Sequence, residues 1–273
     1  MGNGEVDSVT EKKKPRVAIY KFTSCSGCQQ ALLNAERELP EIFAALDIVH
    51  FIEVKRENRS GPYDLALVEG SISRPEEIAA IEELRRQTKV LIAFGACAVY
   101  GGPQALRNWT DTKHLKAVSY ERPDETETLD QTSGIESYVP VDYQIYGCGP
   151  NPGQIVEVIT NFLQGRPPTL PRHSVCVECK LAGNICLLIA GGLNCLGPIT
   201  AAGCGAACPS RKRGCYGCFG PMSAANVQAF ASLLETFGNS AEDIVRILRN
   251  QNSNAPALRE VAIAYAQRRR LAA

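Results

Sequence analysis

Twelve cysteines in 273 residues are the reactive inventory of this chain, and their spacing separates them into two groups. The first group is dispersed: Cys25-Ser26-Gly27-Cys28, then Cys97 in Gly95-Ala96-Cys97, then Cys148 in Gly147-Cys148-Gly149-Pro150. The second is dense, reading Cys176-x2-Cys179-x6-Cys186-x8-Cys195-x8-Cys204-x3-Cys208-x6-Cys215-x2-Cys218. Soft thiolates gathered in fours suit iron–sulfur clusters, and paired Cys-x-x-Cys segments also build structural zinc sites. The eight later cysteines fill two four-ligand sites without remainder. The simplest partition is sequential, Cys176, Cys179, Cys186 and Cys195 in one site and Cys204, Cys208, Cys215 and Cys218 in the other. Exchange of one ligand between the two, as in ferredoxins, is the alternative, and spacing does not choose. His173, just before Cys176, reads as a surface residue rather than a ligand.

The elements that must position these thiols follow from periodicity. Short apolar runs at Val17–Phe22, Ile48–Val54, Asp64–Glu69, Val90–Phe94 and Tyr143–Tyr146 read as buried strands. Helical patterns lie between them: Gln29 to Glu38 ending at Pro40, a helix opened by a capping box at Ser73-Arg74-Pro75-Glu76, and Gly153 to Leu163 stopping at Gly165-Arg166-Pro167-Pro168. Strands alternating with helices predict an α/β fold, a flavodoxin-like doubly wound parallel sheet. Cys25, Cys28, Cys97 and Cys148 then all fall just after strands, at the carboxyl edge where such sheets place ligands. Residues 105–137 are polar and aperiodic and read as an excursion or a partner-facing loop. The segments divide as a disordered lead-in over 1–14, a flavodoxin-like domain over 15–166, and a cysteine-rich iron–sulfur domain over 167–273. The last is glycine-rich and poor in apolar side chains from Cys176 to Cys218, then helical over about Ser223–Phe237, from Ser240, and over Ala257–Arg270.

Bulk properties exclude several classes. Twenty-nine basic and twenty-nine acidic residues give a formal net charge of zero, no footprint for nucleic acid or an anionic membrane. Lys12-Lys13-Lys14 and Arg268-Arg269-Arg270 read as solvated ends. No apolar run reaches the length of a membrane span. The polar start Met1-Gly2-Asn3-Gly4 lacks a signal core, which predicts a chain kept in the reducing cytoplasm, where twelve cysteines read as metal ligands rather than disulfides.

Thr23-Ser24-Cys25-Ser26-Gly27-Cys28, Val68-Glu69-Gly70-Ser71-Ile72, Gly95-Ala96-Cys97 with Gly101-Gly102, and Tyr146-Gly147-Cys148-Gly149-Pro150 resemble the small subunit of [NiFe] hydrogenases. The run Cys195-Leu196-Gly197-Pro198-Ile199-Thr200, then Cys204, Cys208-Pro209 and Cys215-Tyr216-Gly217-Cys218, is similar to that family too. The resemblance spans about residues 16 to 222, uses all twelve cysteines in order, and is nearest to the delta subunit of cytoplasmic, NAD(P)-linked sulfhydrogenases. It implies that Cys25, Cys28, Cys97 and Cys148 hold a proximal cluster facing a large subunit's nickel–iron site. It assigns Cys204, Cys208, Cys215 and Cys218 to a medial cluster and Cys176, Cys179, Cys186 and Cys195 to a distal one. Exported relatives often use His-x-x-Cys distally and three medial cysteines. Four cysteines per set here imply three [4Fe–4S] clusters. Glu69, at the end of the third strand, is a candidate polar neighbour of the first set. A flavin- and NAD(P)-binding partner with further iron–sulfur subunits is implied as the electron acceptor.

The nickel-ligand patterns Arg-x-Cys-Gly-x-Cys and Asp-Pro-Cys-x-x-Cys are absent; Arg213-Gly214-Cys215-Tyr216-Gly217-Cys218 places its glycine differently, so hydrogen cleavage is not expected on this chain. Three other readings are a cluster subunit of a NADH:quinone oxidoreductase, a zinc scaffold without redox activity, and an FMN-binding flavodoxin. The first shares the sheet but carries adjacent cysteines at its first motif and lacks the eight-cysteine extension. The second would be colourless. The third leaves the cysteine placement unexplained.

Overall fold

The computed structural model describes residues 13–272. The expected lead-in therefore lies, up to residue 12, outside the described residues, and Lys12 of the first basic run with it. Five strands, β1 (Arg16–Lys21), β2 (Asp47–Phe51), β3 (Tyr63–Glu69), β4 (Thr88–Phe94) and β5 (Tyr143–Ile145), form one parallel sheet in the order β2-β1-β3-β4-β5. All four pairings are parallel, and this is the doubly wound order of the flavodoxin type. Central β3 shows why: Leu65, Ala66, Leu67 and Val68 are all fully buried, so both faces must be covered, as in parallel sheets generally. Leu65 and Leu67 join one apolar core with Leu32, Ile155 and Ile159. Ala66 and Val68 join the other with Ile72, Ile81 and Ile135.

The helices covering the sheet are α1 (Gly27–Leu33), α2 (Leu39–Ala45), α3 (Pro75–Arg86), α4 (Ala96–Tyr100), α5 (Thr112–Ser119) and α6 (Pro152–Leu163). Three expectations need correction. Pro40 does not end the first helix; it stands in the first turn of α2, where a missing N–H costs nothing. The acid closing the cap of α3 is Glu77, not Glu76: its carboxylate accepts from the N–H groups of Ser73 (2.7 Å) and Arg74 (3.0 Å). The 105–137 stretch holds α5 and 3-10 turns, and Ile135 within it is fully buried.

The cysteine-rich segment opens with α7 (Val175–Leu181) and is followed by α8 (Val227–Thr236), α9 (Ala241–Leu248) and α10 (Pro256–Ala272). It does not stand on cross-links alone. Val175, Leu188, Leu196 and Ile199 share a third core with Phe230, Leu234, Ile244, Leu248 and Tyr265. The C-terminal helices thus supply the apolar surface that the cysteine loops lack. Ser240 caps α9 with a reciprocal Asp243 bond.

Candidate iron–sulfur sites

At the sheet's carboxyl edge the chain turns out of β1, β4 and β5 and delivers Cys25, Cys28, Cys97 and Cys148 to one place. Cys28 feels the charges of Cys97, Cys148 and Cys25, and Cys97 those of Cys148 and Cys25. Cys28 and Cys97 are buried while Cys25 and Cys148 are exposed, so the set opens on one side to solvent. Burial, reinforced by the neighbouring Glu69 and thiols, pushes the Cys28 thiol far up. Burial likewise pushes Cys97 up to about 12, with Gln104 accepting its S–H at 3.2 Å.

Glycines keep the space around these sulfurs clear. A Cβ on Gly95 would stand 2.1 Å from the Cys28 sulfur, one on Gly102 2.5 Å from that of Cys97, and one on Gly27 3.1 Å from that of Cys25. Glu69, fully buried at the end of β3, accepts from the Ser24 hydroxyl (2.6 Å) and the Gln29 N–H (2.8 Å). Gln29 was missed in the sequence: its amide is 1% exposed beside Cys28, and neither end has a partner. A buried amide with no partner costs about 1–3 kcal/mol, and this one sits on the residue next to a ligand candidate. Cleared space, converging thiols and an orphaned amide together fit a thiolate-ligated cluster.

The dense group resolves into two sets. Cys176, Cys179, Cys186 and Cys195 line one small cavity together with Leu187, Leu188 and Pro198. Burial raises Cys176, and the charges of Cys195, Cys179 and Cys186 add to it. Cys218, pushed up to about 11 chiefly by burial, feels Cys204 and Cys208. Burial takes Cys215 up to about 12, with Cys195 and Cys218 adding to it. Burial also raises Cys204, opposed by the N–H groups of Ala207 and Ala206 directed at its sulfur. All twelve cysteines are free thiols. His173 is exposed, its Nδ1 3.2 Å from the Ser174 carbonyl and outside the thiol cavity.

The three sets lie in an order unlike their order in the chain. Cys148 lies within electrostatic reach of Cys218: its charge helps raise the Cys218 thiol and its backbone N–H opposes that rise. Cys215 in turn donates its N–H to the Cys195 sulfur at 3.2 Å. The 204–218 set therefore stands between the sheet-edge set and the 176–195 set.

Asn252, in the α9–α10 turn, holds the Cys215–Cys218 loop. Its side chain is 1% exposed and donates to the carbonyls of Gly217 (2.9 Å) and Cys218 (3.1 Å). Asn252→Ala removes the side-chain donor from the half-buried Cys218 carbonyl and one of two donors from the Gly217 carbonyl, which keeps the Gly220 N–H at 3.0 Å, and should cost about 1–3 kcal/mol, read as a lowered urea midpoint. Raised thiol pKa values carry a second expectation, for the metal-free chain. Unfolded thiols ionise near the ordinary 9.0, whereas Cys97 and Cys215 stay protonated to about 12 in the fold. The folded chain thus holds more protons than the unfolded one in that interval. Its stability should be flat below pH 9 and fall as pH rises from 9 to 12. Urea midpoints measured across that range, before and after iron loading, test this; loading should flatten the fall, because ligating thiols are already ionised.

A parallel sheet with a thiol set on its carboxyl edge, followed by an extension carrying two more sets, is the build of a protein that houses redox clusters. Over residues 25–162 the chain matches the family described as NADH ubiquinone oxidoreductase, 20 Kd subunit. It is 30% identical to the delta subunit of sulfhydrogenase 2 of Pyrococcus furiosus, across 86% of this chain and 98% of that one. It is 28% identical to the delta subunit of the NAD-reducing hydrogenase HoxS of Cupriavidus necator, across 58% and 83% of the two chains. A chain of the crystal structure of a NAD+-reducing [NiFe]-hydrogenase in the H2-reduced state superposes with a TM-score of 0.55 at 27% identity, covering 58% of this chain and 96% of that one. The chain belongs to the 20 Kd subunit family, in the branch that holds the delta subunits of hydrogenases.

Proposed function

We propose that this chain is the electron-transfer subunit of a [NiFe] hydrogenase complex, carrying three [4Fe–4S] clusters between a large subunit's nickel–iron site and a flavin- and NAD(P)-binding partner. Cys25, Cys28, Cys97 and Cys148 would hold the proximal cluster, Cys204, Cys208, Cys215 and Cys218 the medial one, and Cys176, Cys179, Cys186 and Cys195 the distal one. When bound, such clusters take up and pass on one electron at a time. The observation that carries this reading is the linear order of the three thiol sets, joined by the Cys148–Cys218 and Cys215–Cys195 contacts.

The chain's own residues hold the ligands in place and favour their negative charge. N–H groups of Cys215 and Gly217 donate to the sulfurs of Cys195 and Cys215, and such bonds tune a bound cluster. The exposed Cys25 and Cys148 leave the first set open, the side on which a covering large subunit would exclude water. Zinc fits less well. One tetrahedral ion would draw its sulfurs to within about 4 Å of one another. Among the described residues no group of three or more His, Cys, Asp or Glu side chains is placed to hold a single ion. A four-iron cluster spreads its thiolates more widely, because each binds its own iron.

Anaerobic metal analysis of the native complex tests the reading. About twelve irons and twelve sulfides per chain are expected, three clusters at four each, with nickel in a co-purifying partner. A colourless chain carrying zinc would overturn it.

A further inference from the structure

Lys21, the last residue of β1, stands in register with Glu69 on β3. Side chains alternate along a strand, so both leave the sheet on the face where Ile19 and Leu67 meet Leu32 of α1. The Lys21 ammonium donates to the Ser26 hydroxyl at 2.5 Å and to the Glu53 carboxylate at 2.7 Å. The Ser26 hydroxyl donates to the same Glu53 oxygen at 2.9 Å, which closes a triangle. Ser26 lies between Cys25 and Cys28 and has a φ of 63°, in the left-handed region. An ion pair is thus fastened to the turn that carries two thiols of the first set.

The other charges near this turn are already engaged. Glu69 is fully buried, and its partners, the Ser24 hydroxyl and the Gln29 N–H, are neutral. In the cleft that Lys21 and Glu53 line, Arg74 pairs with Glu76 at 2.5 Å and Glu77 closes the cap of α3. Bonds from Lys21 and Ser26 hold the Glu53 carboxyl below the usual carboxylate range, so the pair is ionised at neutral pH. A cluster on four thiolates is negative and becomes more so on reduction. A fixed cation beside it therefore favours the reduced state, and a fixed anion disfavours it.

We infer that the Lys21–Glu53 pair sets the reduction potential of the cluster on Cys25, Cys28, Cys97 and Cys148, the ammonium raising it and the carboxylate checking that rise. The inference rests on the relay reading above and assigns control of its first step to two residues that bind no iron. Together their charges cancel. Removal of either leaves a unit charge uncompensated beside the Cys25–Cys28 turn. A clasp that merely held the turn would respond in one direction to loss of either partner, whereas a charge effect changes sign.

The test is a potentiometric titration of the native iron-loaded complex followed by EPR, the signal of this cluster being the one that Cys28→Ser removes. Lys21→Met should lower the potential and Glu53→Gln should raise it. Each should change the reduced-to-oxidised ratio at a fixed poise by about threefold to tenfold, tenfold being about 59 mV for one electron. Lys21→Met/Glu53→Gln and Lys21→Arg should both stay within about twofold of the unmodified complex, because each preserves the net charge. Iron content should be unchanged in all four. Shifts of one sign in both single variants, or no shift in either, overturn the assignment with the relay intact. So does loss of iron from Lys21→Met, which would make the triangle a clasp for the turn. Failure of the unmodified complex to hold iron overturns the relay reading and the inference with it.

Discussion

Cys28→Ser is expected to remove one cluster and break electron flow at its first step. The loss should be about four irons per chain, with the other eight retained by the dense cysteine group. The Cys28 thiol is buried under Gly95, with no room for a replacement ligand: even a Cβ on Gly95 would stand 2.1 Å away. A serine hydroxyl holds its proton much more tightly than a thiol and is a poor ligand for iron in a sulfur-rich site. Hydrogen-driven reduction of the remaining clusters, followed by visible bleaching in the complex, should fall at least about a hundredfold, beyond the losses typical of outer-sphere substitutions. Reduction by dithionite should survive, since the other two sets remain. Bleaching by hydrogen at the unmodified rate would show that Cys28 is not on the path.

Gly95→Ala should reproduce much of that iron loss while adding instability. Gly95 has a φ of 90°, where a side chain is strained whatever the space around it. Its backbone does not relax easily, because its N–H donates to the Ile145 carbonyl and that of Ala96 to Gly147, both at 2.8 Å. The strain is worth about 1–3 kcal/mol and corresponds to roughly 2–12 °C in Tm for a chain of this size. The collision with Cys28 adds loss of the thiol's position. Gly165→Ala separates the two effects: Gly165 has a φ of 67° but nothing within 4 Å of a Cβ. It should lower Tm without touching the iron count. Iron loss in both variants, or in neither, would refute the cradle at Gly95.

Much of this architecture was legible residue by residue. The apolar runs that became β1, β4 and β5 are local patterns, so their existence and the placement of Cys25, Cys97 and Cys148 just beyond strand ends follow from short-range order. Boundaries and caps were less legible where two residues competed for one task. Glu76 and Glu77 both precede the apolar face of α3, and which carboxylate reaches the Ser73 and Arg74 N–H groups depends on where the helix starts. Pro40 ends or opens a helix according to the chain on either side, and only the packed fold shows which.

What the amino-acid sequence determined by itself was the number of thiols, their grouping, and the sheet edge on which the first four fall, because each depends on neighbours a few positions away. The tertiary structure supplied the contacts that set the last four cysteines between the other two sets, an order that spacing does not give and that the family resemblance only implied. It also decided that Asn252 secures their loop and that Gln29 and Glu69 are buried beside Cys28. Those contacts join residues 20 to 70 positions apart, as the 20-residue span from Cys195 to Cys215, the 40-residue span from Gln29 to Glu69 and the 70-residue span from Cys148 to Cys218 illustrate. Periodicity carries no information over such distances; closing those loops is the work of the buried cores.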